Sequence, residues 1–272
     1  MKGIDIIIPV HKYDESIETL LTRCLTSVKD MIMNTTDVNV DVHIVGKSEV
    51  LPLEKMMGLV NLSDIAKSFD FIENTSELDF CSQINFAVNN GCKNDYFMIV
   101  EFDDMVTPKW VEMTKPYVDK METCPVFLPL IEVYDIENPT MPKCYLNEIA
   151  WSSSFVDGDL GSLSTEALKN YYNFNLTGAI INKNCFLKGR EFKTSIKLSF
   201  AYELLLRLSH LYTNVFVVPK IGYYHFINRE DSLTSEYHKT MTQEEGAWWI
   251  QLALDEYAFI KDRKKTYTPS NK

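Results

Sequence analysis

Glu101, Asp103 and Asp104 stand together in EFDD, directly after the apolar run Tyr96, Phe97, Met98, Ile99 and Val100. The run reads as a strand buried on both faces, so it drives three carboxylates into the end of a buried sheet. Carboxylates crowded there repel one another and lose hydration, and they need a cation, a hydrogen-bond network or protonation. A divalent metal answers that need. The acid-x-acid spacing puts Glu101 and Asp103 on one side of an extended backbone, where both can serve one hard ion. A solvated acidic turn before Pro108 is the plain alternative. The strand-end position favours the metal, because ligand crevices of open α/β sheets lie at the carboxyl ends of strands.

The elements that must position this cluster alternate in type. Ile4 to Val10 reads as a buried strand ended near Pro9, and Ser16 to Met33 spaces Ile17, Leu20, Leu21, Leu25, Val28 and Ile32 as a helix does. Val38 to Val45 alternates as a second strand, Phe69 to Ile72 suggests a short third, and Ser76 to Asn90 reads as a helix stopped at Gly91. The chain then enters the strand Tyr96 to Val100. This order predicts an α/β fold with a mostly parallel mixed sheet flanked by helices. Beyond the carboxylates, Lys109 to Met121 is expected to be helical and Val126 to Tyr134 a strand.

The second half is less regular. From Asp135 to Thr177 the chain is rich in Pro, Ser, Asp and Gly, and only Ser164 to Tyr172 looks helical. A stretch this long reads as a functional lid or binding loop, with a disordered insertion as the alternative. Gly178 to Ile181 resumes a strand, Ala201 to His210 is a strong helix, and Val215 to Val218 is a late strand before Pro219. Glu244 to Lys261 reads as a closing amphipathic helix, and the tail after it as loose.

Composition excludes more than it selects. With 272 residues and 46% hydrophobic content there is ample material for one large core. The 27 basic and 38 acidic residues leave a charge of −11, which argues against a broad basic surface for nucleic acid or anionic membrane. Cys24, Cys81, Cys92, Cys124, Cys144 and Cys185 are scattered without a CxxC pair or zinc-type spacing. Reduced thiols are expected, with neither disulfide nor zinc. No segment has the length of a signal-peptide core or a membrane span, so a soluble, cytoplasmic protein is expected.

The order of motifs resembles the family 2 glycosyltransferases with the GT-A fold. IDIIIPVHKYD is similar to the family's opening strand and turn, and EFDD stands where the family has Asp-x-Asp-Asp. TGAIINKNCFLKGREF looks like the strand and helix after the acceptor loop. FAYELLLRL followed by VFVVPKIGYYHFINREDSLT resembles the block that runs from helix to strand to a Tyr/His/Arg-rich loop. The resemblance covers roughly Ile4 to Thr234. It implies a GT-A-like glycosyltransferase domain over residues 1–235, with residues 236–272 as a C-terminal helix and tail packed on it.

The resemblance also implies roles. Pro9, Val10 and His11 would hold the nucleotide base, with Gln83 and Asn85 contributing from the helix Ser76 to Asn90. Asp103 would bind a manganese or magnesium ion bridging the diphosphate, with Glu101 near the ribose or the ion and Asp104 beside them. Such an ion neutralises charge on the departing nucleoside diphosphate. His225 matches a region where some relatives supply a metal ligand or phosphate contact; a packed core histidine is the alternative reading.

The departures are specific. Where the family usually has Val-Asp-Asp-Gly-Ser, this chain has IVGKSE, with Gly46 and Lys47 in place of acids. Gln83, Ile84 and Asn85 replace Ala-Arg-Asn, which removes a cation. Ala201 stands where a carboxylate would deprotonate the acceptor hydroxyl, and a sugar hydroxyl is a weak nucleophile without such a base. Glu203 is the nearest substitute, ahead of Asp157 and Asp159, although residues two apart do not share a helix face. The implied function is metal-dependent transfer of a sugar, from a UDP-sugar before other nucleotide-sugars, to a saccharide or other hydroxyl acceptor. The alternative is a non-catalytic GT-A-like protein with a carbohydrate-binding or assembly role. A nucleotidyltransferase is a third option, but the chain offers no glycine- and arginine-rich phosphate loop.

Overall fold

Seven consecutive buried residues make the first strand, β1 (Gly3–Pro9). A computed structural model of the chain describes residues 1–74, 79–155, 158–187, 189–212, 215–229, 232 and 241–266. Alternation along β1 feeds two cores. Ile4, Ile6 and Ile8 pack on one face of the sheet with Leu21, Leu25 and Val28 of α1 (Glu15–Met33). Ile7 points to the other face, where Ala87 and Val88 of α3 (Phe80–Asn90) and Leu204, Leu205 and Leu208 of the helix after Ser199 gather. Apart from Asp5, β1 carries no charged or polar side chain, as burial on both faces requires.

The remaining elements include the expected ones in their order, together with short elements that the sequence reading did not contain. They are β2 (Asn39–Gly46), α2 (Leu53–Gly58), β3 (Ser68–Glu73), then α3, β4 (Tyr96–Ile99), β5 (Met105–Val106), α4 (Trp110–Lys120) and β6 (Val126–Asp135). After them come β7 (Cys144–Leu146), β8 (Ser162–Leu163), α5 (Thr165–Asn170), β9 (Ile180–Asn182), α6 (Lys183–Phe186), α7 (Phe200–Leu211), β10 (Val215–Ile227) and α8 (Gln243–Thr266). The strands form one mixed sheet in the order β3-β2-β1-β4-β9-β6-β10-β5. β3, β2, β1 and β4 are parallel neighbours, and β6 pairs parallel with β10. β9 runs antiparallel between β4 and β6. Register sets Ile7 against Ile99 and Pro9 against Val45, so the carboxyl ends of β1, β2 and β4 emerge side by side.

Three boundaries differ from the sequence reading. α3 begins at Phe80, capped by the Asp79 side chain on the Ser82 amide; the expected start at Ser76 lies outside the described residues. The late strand does not stop at Pro219 but continues to Ile227. Its register with β6 shifts between Val217 and Ile221, and a proline sits at such an irregularity because no ladder bond from its nitrogen is required. The stretch expected to be irregular apart from a helix over Ser164 to Tyr172 contains that helix as α5, and in addition β7 and β8, which pair with β6 and β10.

α8 lies on α7. Ala253 and Tyr257 are buried in the same core as Leu204 and Leu208, and Ser199 donates to the carbonyl of Trp249.

Candidate active site

β4 ends where the acids begin. The Val100 amide donates to the Ile7 carbonyl at 3.0 Å, which ties the exit of β4 to β1. The Glu101 amide then donates to the Tyr223 hydroxyl at 2.9 Å, and the Asp104 amide to the Glu101 carbonyl at 3.0 Å. This turn gathers the ligand atoms of Glu101, Asp103 and Asp104 within 4.8 Å of one another. The ring of His11 lies against Phe102 of the same turn, with centroids 5.6 Å apart. The loop after β1 and the acid cluster therefore border a common edge of the sheet.

β10 closes the other side. His225 Nδ1 lies 2.9 Å from Asp104 Oδ2, and the Phe226 amide donates to Asp104 Oδ1 at 2.8 Å. Asp104 is fully buried and both its oxygens are engaged, whereas Asp103 keeps 13% of its side chain exposed. Of the three acids, Asp104 is therefore the one that holds β10 and orients His225. Gly178 makes the approach of the neighbouring turn feasible: it sits at φ +72°, and a Cβ there would stand 2.6 Å from the Tyr223 ring.

Cations absent from the sequence reading complete the site. Arg229 Nη1 is 3.3 Å from Asp103 Oδ2, and its guanidinium lies 4.9 Å from the Phe102 ring centroid. Arg23 on α1 donates to the Asp103 carbonyl and stacks 3.8 Å from the Phe226 ring centroid. Arg229 could have been suspected from the Tyr/His/Arg-rich loop. Arg23 gives no such signal, because one arginine on an amphipathic helix reads as a solvated face.

Burial raises the pKa of both Glu101 and Asp103 above the ordinary carboxylate range, and repulsion from Asp104 adds to it. His225 and Arg229 offset only part of that. Burial alone would lower His225, but Asp104, Glu101 and Asp103 outweigh it and hold the imidazole up to about 9. Hard carboxylate oxygens that resist ionisation, partly open to solvent, fit a divalent ion such as Mn2+ or Mg2+.

Several expected residues are placed differently. Glu203 is fully buried, with Arg207 Nε on Oε1 at 2.7 Å and Nη2 on Oε2 at 2.9 Å. In this arrangement the carboxylate expected as a base is bound bidentately by an arginine and shut from solvent, the geometry of an ion-pair partner. Asn85 exchanges two bonds with the backbone of Phe192, at 2.8 and 3.0 Å, so its amide clasps a loop and is not turned to a nucleotide. Gln83 is buried in α3. Pro9 and Val10 are buried, and the Val10 amide donates to Val45 at 2.9 Å. Gly46 explains the departure in IVGKSE, since a Cβ there would lie 2.5 Å from the Val10 carbonyl oxygen. Asp159 is exposed in a turn, and Asp157 lies outside the described residues.

No protein-family model and no curated protein matches the sequence. Solved structures do. TarS from S. aureus, residues 1–349, superimposes with a TM-score of 0.58 at 13% identity over 94% of this chain and 80% of that one. The chain has a GT-A-like glycosyltransferase fold. The same TarS fragment in complex with UDP-GlcNAc gives 0.58 at 15% identity, covering 94% of this chain and 66% of that one. The mannosyltransferase PcManGT from Pyrobaculum calidifontis, in complex with GDP-Man and Mn2+, gives 0.60 at 9% identity, over 84% and 58%. Against a longer TarS structure this chain spans 37% of the partner's length. Among the described residues, no helix is long and apolar enough to cross a membrane.

Proposed function

We propose that the protein is a metal-dependent glycosyltransferase that moves a sugar from a nucleotide-sugar donor to a hydroxyl acceptor. The carrying observation is the gathering of Glu101, Asp103 and Asp104 at the end of β4, beside the His11 loop and the Asp104-held His225. Asp103 and Glu101 would hold Mn2+ or Mg2+, with His225 Nε2 as a further ligand. A bound ion would supply charge neutralisation at the leaving diphosphate. Arg23 and Arg229 add positive charge beside the same turn, which offsets the cation lost from the third helix. His11 and the backbone of Pro9 and Val10 would meet the base. UDP is our first choice of nucleotide because UDP-GlcNAc is bound by a structural neighbour; GDP is the competitor for the same reason. We assign residues 1–235 to the transferase unit, with α8 as its appendage.

One observation favours the non-catalytic reading. Ala201 offers no base, and Glu203 is locked on Arg207. A thermal-shift screen of UDP and GDP with Mn2+, Mg2+ or chelator tests donor binding without an acceptor. Stabilisation by nucleotide only with metal is the expected result; equal shifts under chelator would overturn the metal site. Donor hydrolysis by nucleotide-binding protein then separates enzyme from scaffold.

A further inference from the structure

A second ligand-bearing cluster lies apart from that site, near the start of β1, in the middle of β2 and before the start of β4. Asp5 enters near the start of β1, four residues before Pro9, which is about 13 Å along the strand from the site end. His43 sits in β2 opposite Ile7, and Cys92 follows Gly91 where α3 ends. Asp5 and His43 are 0% and 1% exposed, and Cys92 is half-buried. His43 Nε2 is 2.9 Å from Asp5 Oδ1, and one ligand atom from each of Asp5, His43 and Cys92 falls within 4.8 Å of the others.

The surroundings are those of a built site. His43 Nδ1 is engaged by Asp70, which fixes the ring and leaves Nε2 toward Asp5. A carboxylate behind a ligating histidine is the usual arrangement around zinc. Asp5 Oδ2 accepts from the Asn94 amide at 2.8 Å, and Asp41 is held by Ser68 and Asn94. Donor atoms of a tetrahedral zinc site stand about 3.3–3.8 Å apart, given its bond lengths, so this trio needs only small side-chain adjustments.

We propose that Asp5, His43 and Cys92 form a second metal site that takes zinc(II) or a similar borderline ion, clamping β1 to β2 and to the exit of α3. Imidazole nitrogen, carboxylate oxygen and thiolate sulfur together select such an ion over Mg2+. Water fills the fourth position. Binding is an exchange without redox change: the metal gives up hydration water for bonds to Asp5 Oδ1, His43 Nε2 and Cys92 Sγ, the His43–Asp5 hydrogen bond breaks, and the protons of Nε2 and Sγ leave to solvent.

Cobalt(II) titration of the full chain, stripped with chelator beforehand, tests this. One equivalent should bind with a thiolate-to-cobalt charge-transfer band, which Cys92→Ser abolishes and Asp103→Ala leaves intact. Zinc should also slow alkylation of Cys92, mapped by peptide mass, without protecting the exposed Cys144. The labelling needs no variant, so it decides even if Cys92→Ser fails to fold. Absence of the band, its persistence in Cys92→Ser, or equal labelling of Cys92 with and without zinc would overturn the proposal.

Discussion

Asp104, just before β5, is joined to His225 of β10, with His225 Nδ1 2.9 Å from Asp104 Oδ2. That bond leaves Nε2 as the ring's remaining ligating atom and converts one acid of the cluster into an orienting group. Asp104→Asn should therefore weaken metal-dependent nucleotide binding by about 10–100-fold, the usual cost of losing the partner behind a ligating histidine. Calorimetry with Mn2+ present measures it, and wild-type affinity in Asp104→Asn would remove Asp104 from that role.

Asp103→Ala tests the front of the site. Asp103 is partly exposed and held by Arg229 at 3.3 Å, so its loss should abolish metal-dependent nucleotide binding while leaving thermal unfolding close to that of the parent. Removing one hard oxygen ligand leaves the diphosphate charge uncompensated. Undiminished binding in this variant would show that the ion sits elsewhere.

Metal affinity should depend on pH with a definite sign. Glu101 and Asp103 hold their protons above the ordinary range because they are buried and face Asp104. An incoming ion must displace those protons, so affinity should rise as pH increases from the acid side toward neutrality. Manganese binding followed by electron paramagnetic resonance across that range gives the slope; a flat profile would contradict the ligand assignment.

Glu203→Gln should act chiefly on stability. Removing one partner of a buried pair leaves the Arg207 guanidinium uncompensated, a loss on the order of 3 kcal/mol, readable in denaturant unfolding. The double variant Glu203→Leu/Arg207→Met should recover much of it. If Glu203→Gln instead folds as stably as the parent but loses about 10²–10⁴ in turnover, the carboxylate is a base after all.

The metal-free protein should lose stability as pH rises above neutrality. Burial opposes charging His43, but Asp5 and Asp70 outweigh it and hold its pKa up to about 9. Because the folded value lies above the ordinary imidazole value of about 6.5, the contribution is complete below about 6.5 and is lost through about 9. Unfolding midpoints at intervals across that window, with chelator present, should fall in the parent and flatten in His43→Gln.

Periodicity and turn chemistry sufficed for much of this molecule. The alternation around Ile7, the helical spacing from Ile17 to Ile32, and the apolar run into Glu101 and Asp103 are local patterns, and local patterns report which face is buried and where a buried strand meets polar residues. They led to the α/β sheet, the GT-A-like resemblance and the acid cluster at a strand end. The sequence could not show which carboxylates were already committed. Asp104 is taken by residues 225 and 226, Glu203 by an arginine one helical turn away whose other donors reach the carbonyls of residues 190 and 191, and Asn85 by the backbone of Phe192. Asp5, His43 and Cys92 come from three segments without metal-ligand spacing, and Arg23 reaches Asp103 across 80 residues. Contacts of that range are set by strand order and register, which no local pattern encodes, and the free energy that assigns each buried charge its partner exists only once the chain has excluded water around it.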